Sequence, residues 1–181
     1  PYMASRGCYW GKCTFCTHSF IYDSHYRKEN EERVAEELDY LGKRYKTKYF
    51  TFSDEAISPN AFDRMSKAIL SQGVEMRALG MLKFESDSIE TVELFKNMYK
   101  AGFLMLFFGL ESANDRILSI IEKGCDQATE KRVLENSSLA GIWNHLYLFF
   151  GFPTEEKHEA QETIDFTVQH SELGDGTIHS V

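Results

Sequence analysis

The sequence predicts an α/β protein built on parallel strands, and three observations predict it. Apolar strand-like runs alternate with capped amphipathic helices along the whole chain. Expected strand starts near residues 1, 48, 74, 103, 143 and 177 lie about 26 to 47 residues apart, the spacing of βα units with crossover helices. The runs from 103 and from 143 are almost continuously apolar, as are strands covered on both faces of a parallel sheet.

The elements follow in order. Pro1–Ser5 reads as the end of a first strand. Asn30 is placed to cap a helix whose Val34, Leu38, Leu41 and Tyr45 recur every three or four positions. Lys48–Ser53 (KYFTFS) is a strand. Ser58-Pro59 starts a helix, with proline at its first position, and Gly73 stops it. Val74–Leu82 is the next strand, its pattern weakened by Met76, Arg77 and Gly80. Ser88 opens a helix with Ile89, Val92, Phe95 and Tyr99 on one face, closed by Gly102. Phe103–Phe108 is a strongly apolar strand, Asn114–Ile121 a short helix, and Asp126 caps a longer helix ending at Gly141. Trp143–Phe150 is a strand, Thr154 caps a helix to about Gln169, and Thr177–Val181 begins one more strand.

Repeated right-handed crossovers either curve toward a barrel or wind a doubly wound sheet, and periodicity does not choose between them. In both, function belongs at strand C-terminal ends. Those ends carry Arg6–Cys16, Ser53–Glu55, Gly109–Ser112 and Gly151–Glu155.

Composition narrows the class. With 181 residues, 43% of them hydrophobic, the chain fits one domain spanning 1–181. The formal net charge is −8 and no basic run exceeds two residues, as at Lys43–Arg44, so no nucleic-acid footprint is visible. No apolar run approaches the ~18 residues of a membrane span. The longest, Trp143–Phe152, is broken by Asn144 and His145. The chain starts at Pro1 without a signal-peptide pattern, which reads as a fragment of a longer protein in a reduced, cytoplasmic setting.

Three of the four cysteines, Cys8, Cys13 and Cys16, fall within nine residues beside Gly7 and Gly11. In a reduced compartment clustered thiols bind metal or do redox work. Zinc in a structural site takes four closed ligands, here the three cysteines with His18 or His25. A 4Fe–4S cluster usually takes four thiolates, so three leave one iron open, as a catalytic site requires. The loop follows the first strand at the active-site end, whereas structural zinc knuckles sit in small strand-poor modules.

CYWGKCTFC resembles the cluster-binding loop of the radical S-adenosylmethionine (SAM) superfamily. GLESANDRILSIIEKG resembles that superfamily's fourth-strand segment and following helix, and AGIWNHLYLFFGFPTE its fifth-strand segment with the GFP turn. The resemblance covers essentially the whole chain. It is strongest to the branch with methylthiotransferases, coproporphyrinogen dehydrogenases and cobalamin-binding enzymes. The commonest family spacing is CxxxCxxC; this chain has CxxxxCxxC, a longer loop.

The resemblance implies a partial (β/α)6 barrel, TIM-like, truncated in its sixth strand. It implies that Cys8, Cys13 and Cys16 bind three irons of a 4Fe–4S cluster and that SAM chelates the fourth. One electron then cleaves SAM to a 5′-deoxyadenosyl radical, which takes hydrogen from a substrate. An electron donor such as flavodoxin or ferredoxin is the implied partner. In a cobalamin-binding parent, a separate doubly wound domain would precede Pro1. The rival reading is a non-catalytic zinc-binding α/β module.

The resemblance also points to SAM-binding residues. Phe15 sits where the family places an aromatic near the adenine. Ser53-Asp54-Glu55 stands where Gly-Gly-Glu meets the methionine ammonium, with Glu55 keeping its residue type. Glu111 and Ser112 follow the apolar strand at the SAM end. Lys123 takes the place of a basic residue near the methionine carboxylate, without the bidentate fork of arginine. Tyr147 and His145 share a strand face, and Tyr147 is the one expected in the site. No role is expected for His145 or Arg77, and Cys125 is expected to be structural.

Overall fold

In a computed structural model the chain is described at residues 1–21, 25–85, 90–171 and 174–181. Its elements are β1 (Ser5–Arg6), α1 (His18–Ile21), β2 (Arg27–Lys28), α2 (Glu31–Tyr45), β3 (Tyr49–Thr51), α3 (Pro59–Ser71), β4 (Arg77–Leu82), α4 (Val92–Ala101), β5 (Phe103–Glu111), α5 (Asp115–Ile120), α6 (Gln127–Leu139), β6 (Trp143–Leu148) and α7 (Lys157–His170). Strands β3, β4, β5 and β6 form a parallel sheet in chain order. Single parallel bridges extend it at both sides, Tyr2 to Phe52 and Ser180 to His145. Six chain passes therefore lie side by side, as successive right-handed βα units require. The first and sixth passes are bridges rather than full strands.

The caps form as their residue types dictate. Asn30, Ser58 and Asp126 each accept a hydrogen bond from a backbone N–H of the first helical turn. Gly102 takes the left-handed conformation that ends α4, with φ 109°, and a side chain there would run into the Met76 carbonyl.

One sheet face is sealed and the other is not. Ala78, Leu82, Leu106, Phe108, Leu110 and Leu146 are buried in the core that also holds Leu38, Phe62, Phe95 and Met98 from α2, α3 and α4. Burying one such phenylalanine or leucine stabilises the fold by roughly 1.5–3 kcal/mol. On the opposite face, Met81, Phe107 and His145 are half-buried, and Tyr147 and Trp143 are exposed. The expected covering of both faces is thus corrected. The second face is apolar as well, which hid the alternation, but its side chains are left half-buried or exposed rather than packed under helices.

Other expectations shift. In α2, Tyr45 is exposed and Ala35 takes its place in the buried stripe. In α4, Leu94, Phe95, Met98 and Ala101 are buried while Tyr99 is exposed; the cap is Thr91, and the expected Ser88 and Ile89 lie outside the described residues. The last helix is capped at Glu156 by a capping box, not at Thr154. Thr154 instead has φ 75° in the loop before it. The short antiparallel pair β1–β2 was not expected. No described helix is long and apolar enough to cross a membrane.

Candidate functional site

The cysteine loop lies beyond the C-terminal ends of the parallel strands. Cys8 bridges to Ala56, past the end of β3. Gly11, at φ 64°, turns the chain, and the Cys16 amide donates to the Cys13 carbonyl at 3.1 Å. None of the three thiols is in a disulfide, and each is partly buried. Burial raises the Cys13 pKa; Lys123 opposes the rise, and the neighbouring Cys8 and Cys16 add to it. Cys13 thus feels the charge of Cys8 and Cys16 on its own loop and, in the opposite sense, that of two buried ammonium groups, Lys123 and Lys83.

The loop rests on the turn after α5. The Thr14 amide donates to the Ile121 carbonyl at 3.0 Å and its hydroxyl to the Ile120 carbonyl at 3.2 Å. Phe15 meets Phe149, just past β6, edge to face at 5.0 Å between centroids. Phe149 in turn packs near Phe152 of the GFP turn. Arg116 fixes that turn from α5, donating to the Thr154 carbonyl at 2.7 Å and pairing with Glu159, whose carboxyl it draws down to about 2.

Glu111 ends β5 at φ 66° and accepts from the Lys123 ammonium at 2.9 Å. Both side chains are largely buried, at 15% and 8% exposure. Gly109 makes room for them, since a Cβ there would run into both. The structure thus joins two residues that the sequence named separately.

The other expected site residues are placed as follows. Asp54 is buried, and its carboxylate accepts from the backbone of Ala4 and Ser5 and from the Ser5 hydroxyl. Burial raises its pKa, against those hydrogen bonds. Ser53 binds the Tyr2 carbonyl through its amide and its hydroxyl. Glu55 follows on the same strand end, partly buried. Ser112 is fully buried, with its hydroxyl 3.1 Å from that of Thr163 on α7. Tyr147 pairs across the sheet with Gly109 and lies parallel to the Phe107 ring at 5.9 Å. His145 bonds the Ser180 hydroxyl at 2.7 Å. Arg77 sits at the opposite, N-terminal end of β4, bound to the Met76 carbonyl. Cys125 lies against Glu130 and the core, its thiol pushed up chiefly by burial.

Sequence reasoning missed Trp10, Lys83, Glu85 and Phe149. Lys83 and Glu85 follow β4 directly, so the strand-end rule that found Ser53–Glu55 also points to them. Among the described residues, no three His, Cys, Asp or Glu side chains converge as ligands of a single metal ion. The closed four-ligand set of a structural zinc site is therefore not assembled. Three separate thiols around a strand-end loop fit a larger group that takes one thiolate at each of several irons.

Parallel βα units in chain order, with their polar groups gathered at strand C-terminal ends, define a TIM-barrel-like α/β protein. Residues 2–167 match the Radical SAM superfamily, and the chain belongs to that family of enzymes, whose cofactors are a 4Fe–4S cluster and SAM. An uncharacterized methyltransferase of Pyrococcus horikoshii is 30% identical over 91% of this chain and 35% of its own length. A putative methylthiotransferase of Methanocaldococcus jannaschii is 28% identical over 94% of this chain and 39% of its own. The chain thus spans under half the length of these relatives. Among solved structures, the tryptophan-bound radical SAM methyltransferase TsrM from Kitasatospora setae superposes with TM-score 0.75 at 15% identity, covering 93% of this chain and 33% of that one. The cobalamin-dependent radical SAM enzyme OxsB superposes with TM-score 0.74 at 19% identity, covering 91% and 26%. Both share the fold.

Proposed function

We propose that this chain is the catalytic core of a radical SAM enzyme in which Cys8, Cys13 and Cys16 each ligate one iron of a 4Fe–4S cluster and SAM takes the fourth. The observation that carries the reading is the set of three disulfide-free thiols carried on one loop beyond the strand ends of a parallel sheet. When bound, the pair supplies one-electron cleavage of SAM and, from it, removal of a hydrogen atom from a substrate. The protein's part is placement and exclusion of water.

In this reading Glu55 meets the methionine ammonium and Lys123, moving from Glu111, its carboxylate. Phe15, backed by Phe149, forms the apolar wall beside the adenine. Tyr147 and Phe107, side by side on the uncovered sheet face, stand where the substrate would enter. Ser53, Asp54 and Ser112 act by position: the first two hold the strand that leads into the cysteine loop, and Ser112 holds the start of α5.

The names of the relatives favour methyl or methylthio transfer as the reaction. The cobalamin-dependent neighbours favour a parent protein with a cobalamin-binding domain before Pro1. A flavodoxin or ferredoxin as electron donor, in the cytoplasm, rests on the family resemblance alone. Electron paramagnetic resonance of the anaerobically reconstituted, reduced protein, with and without SAM, tests the core reading. A 4Fe–4S signal that changes on adding SAM is expected. A folded sample with stoichiometric zinc and no iron overturns it.

A further inference from the structure

The geometry points to Trp10 as the positioning residue of the long cysteine loop, an inference that rests on the three cysteines holding a cluster. Four residues, Tyr9–Lys12, separate Cys8 from Cys13. Such a segment has many conformations unless something orders it. Two of its side chains order it, and each reaches a different part of the barrel rim.

Trp10 donates its indole N–H to the Glu122 carbonyl at 2.8 Å. Glu122 has φ 54°, so the turn after α5 presents that carbonyl in a left-handed residue. The Cys13 sulfur lies 4.0 Å from the same oxygen. Trp10 and Cys13 thus share one anchor. The indole ring also fills the space over Gly124, where any side chain would overlap it. From the other direction the Lys83 ammonium lies 4.3 Å from the ring centroid. Lys83 is 6% exposed, which strengthens a cation–π contact by removing competing water. Lys12 approaches the same ring at 4.7 Å but is exposed.

Tyr9 adds the second hold, donating its hydroxyl to Glu85. Glu85 is itself fixed at its backbone. The Glu85 amide donates to buried Glu90 at 2.7 Å, and Arg132 of α6 donates to the Glu85 carbonyl at 3.0 Å. The loop is therefore keyed at once to the end of β4 and to the turn after α5. This is how a spacing longer than CxxxC keeps Cys13 at a set distance from Cys8.

The test compares wild type, Trp10→Ala, Trp10→Phe, Gly124→Ala and the Trp10→Ala/Gly124→Ala double variant. Iron per chain after anaerobic reconstitution and the SAM-induced change in the paramagnetic signal are read, with the urea midpoint reporting the fold. Trp10→Ala is expected to lose iron several-fold and to lose the SAM-induced change at an unaltered urea midpoint. Trp10→Phe, which keeps the ring and loses the N–H, is expected to recover part of both. Gly124→Ala is expected to lower iron alone, and to lower it by less in the Trp10→Ala background, where the clash with the ring is gone and only the backbone strain of an alanine at φ 75° remains. Wild-type iron and an unchanged SAM response in Trp10→Ala overturn the inference and leave the cluster reading standing. Iron loss that tracks a fall in the urea midpoint also overturns it. Absence of iron from wild type itself overturns the cluster reading and the inference with it.

Discussion

Cutting the Glu111–Lys123 pair from one side leaves a buried ion alone. Glu111→Ala strands the Lys123 ammonium at 8% exposure. At 2.9 Å and an effective dielectric of about 20, the gross attraction lost is about 6 kcal/mol. In the intact protein most of that offsets the cost of taking two ions out of water. The single variant loses the attraction and keeps the desolvation, so an expected cost is about 3 kcal/mol. Lys123→Met strands the less buried Glu111 and costs less. The double variant removes both ions and recovers stability, giving a coupling of at least about 1.5 kcal/mol. Urea unfolding of the four proteins, followed by the fluorescence of Trp10 and Trp143, measures it. Single-variant costs that add to within about 0.5 kcal/mol would refute the pairing argument.

Three further outcomes are expected. Cys8→Ala, Cys13→Ala and Cys16→Ala each abolish iron binding, whereas Cys125→Ala retains it; equal iron in all four variants overturns the ligand assignment. Glu90 is fully buried, and burial pushes its carboxyl up to about 8, so the folded state holds a proton that the unfolded chain releases near pH 4.5. Its contribution is complete below pH 4.5 and is lost as pH rises toward 8, at no more than about 1.4 kcal/mol per pH unit. Glu90→Gln should flatten that fall in urea titrations between those limits, and an unchanged slope counts against it. Asn144, fully buried, donates to the Leu134 and Thr177 carbonyls at 3.1 and 2.7 Å. Asn144→Ala should cost about 1–3 kcal/mol in thermal or urea unfolding by taking the donor from the Thr177 carbonyl and the second bond from Leu134, whose carbonyl stays in the α6 ladder, and a neutral result contradicts the burial of this contact.

Much of the local architecture was readable in the chain. Asn30, Ser58 and Asp126 cap helices because a short polar side chain satisfies orphan amides wherever the backbone turns into a helix. The apolar runs at 103 and 143 became β5 and β6. Helix faces were less legible. Tyr45 and Tyr99 fit the helical period yet are exposed: Tyr45 is the last residue of α2, and Tyr99 falls beside the stripe of Leu94, Phe95, Met98 and Ala101 that α4 buries. The pair β1–β2 has no apolar pattern at all; its Arg6, Arg27 and Lys28 face solvent, and only the fold sets Ser5 against Lys28 and Arg6 against Arg27.

For the site, sequence alone determined the three thiols, their spacing and their place after a first strand, since these are properties of covalent order. The tertiary structure decided which groups meet. It set Glu111 on Lys123, Phe15 on Phe149, Asp54 under Ser5, and Trp10 between Lys83 and a carbonyl 112 positions away. Those partners lie on different βα units. Their approach depends on strand register and on how far each crossover carries the chain, and no local propensity encodes either.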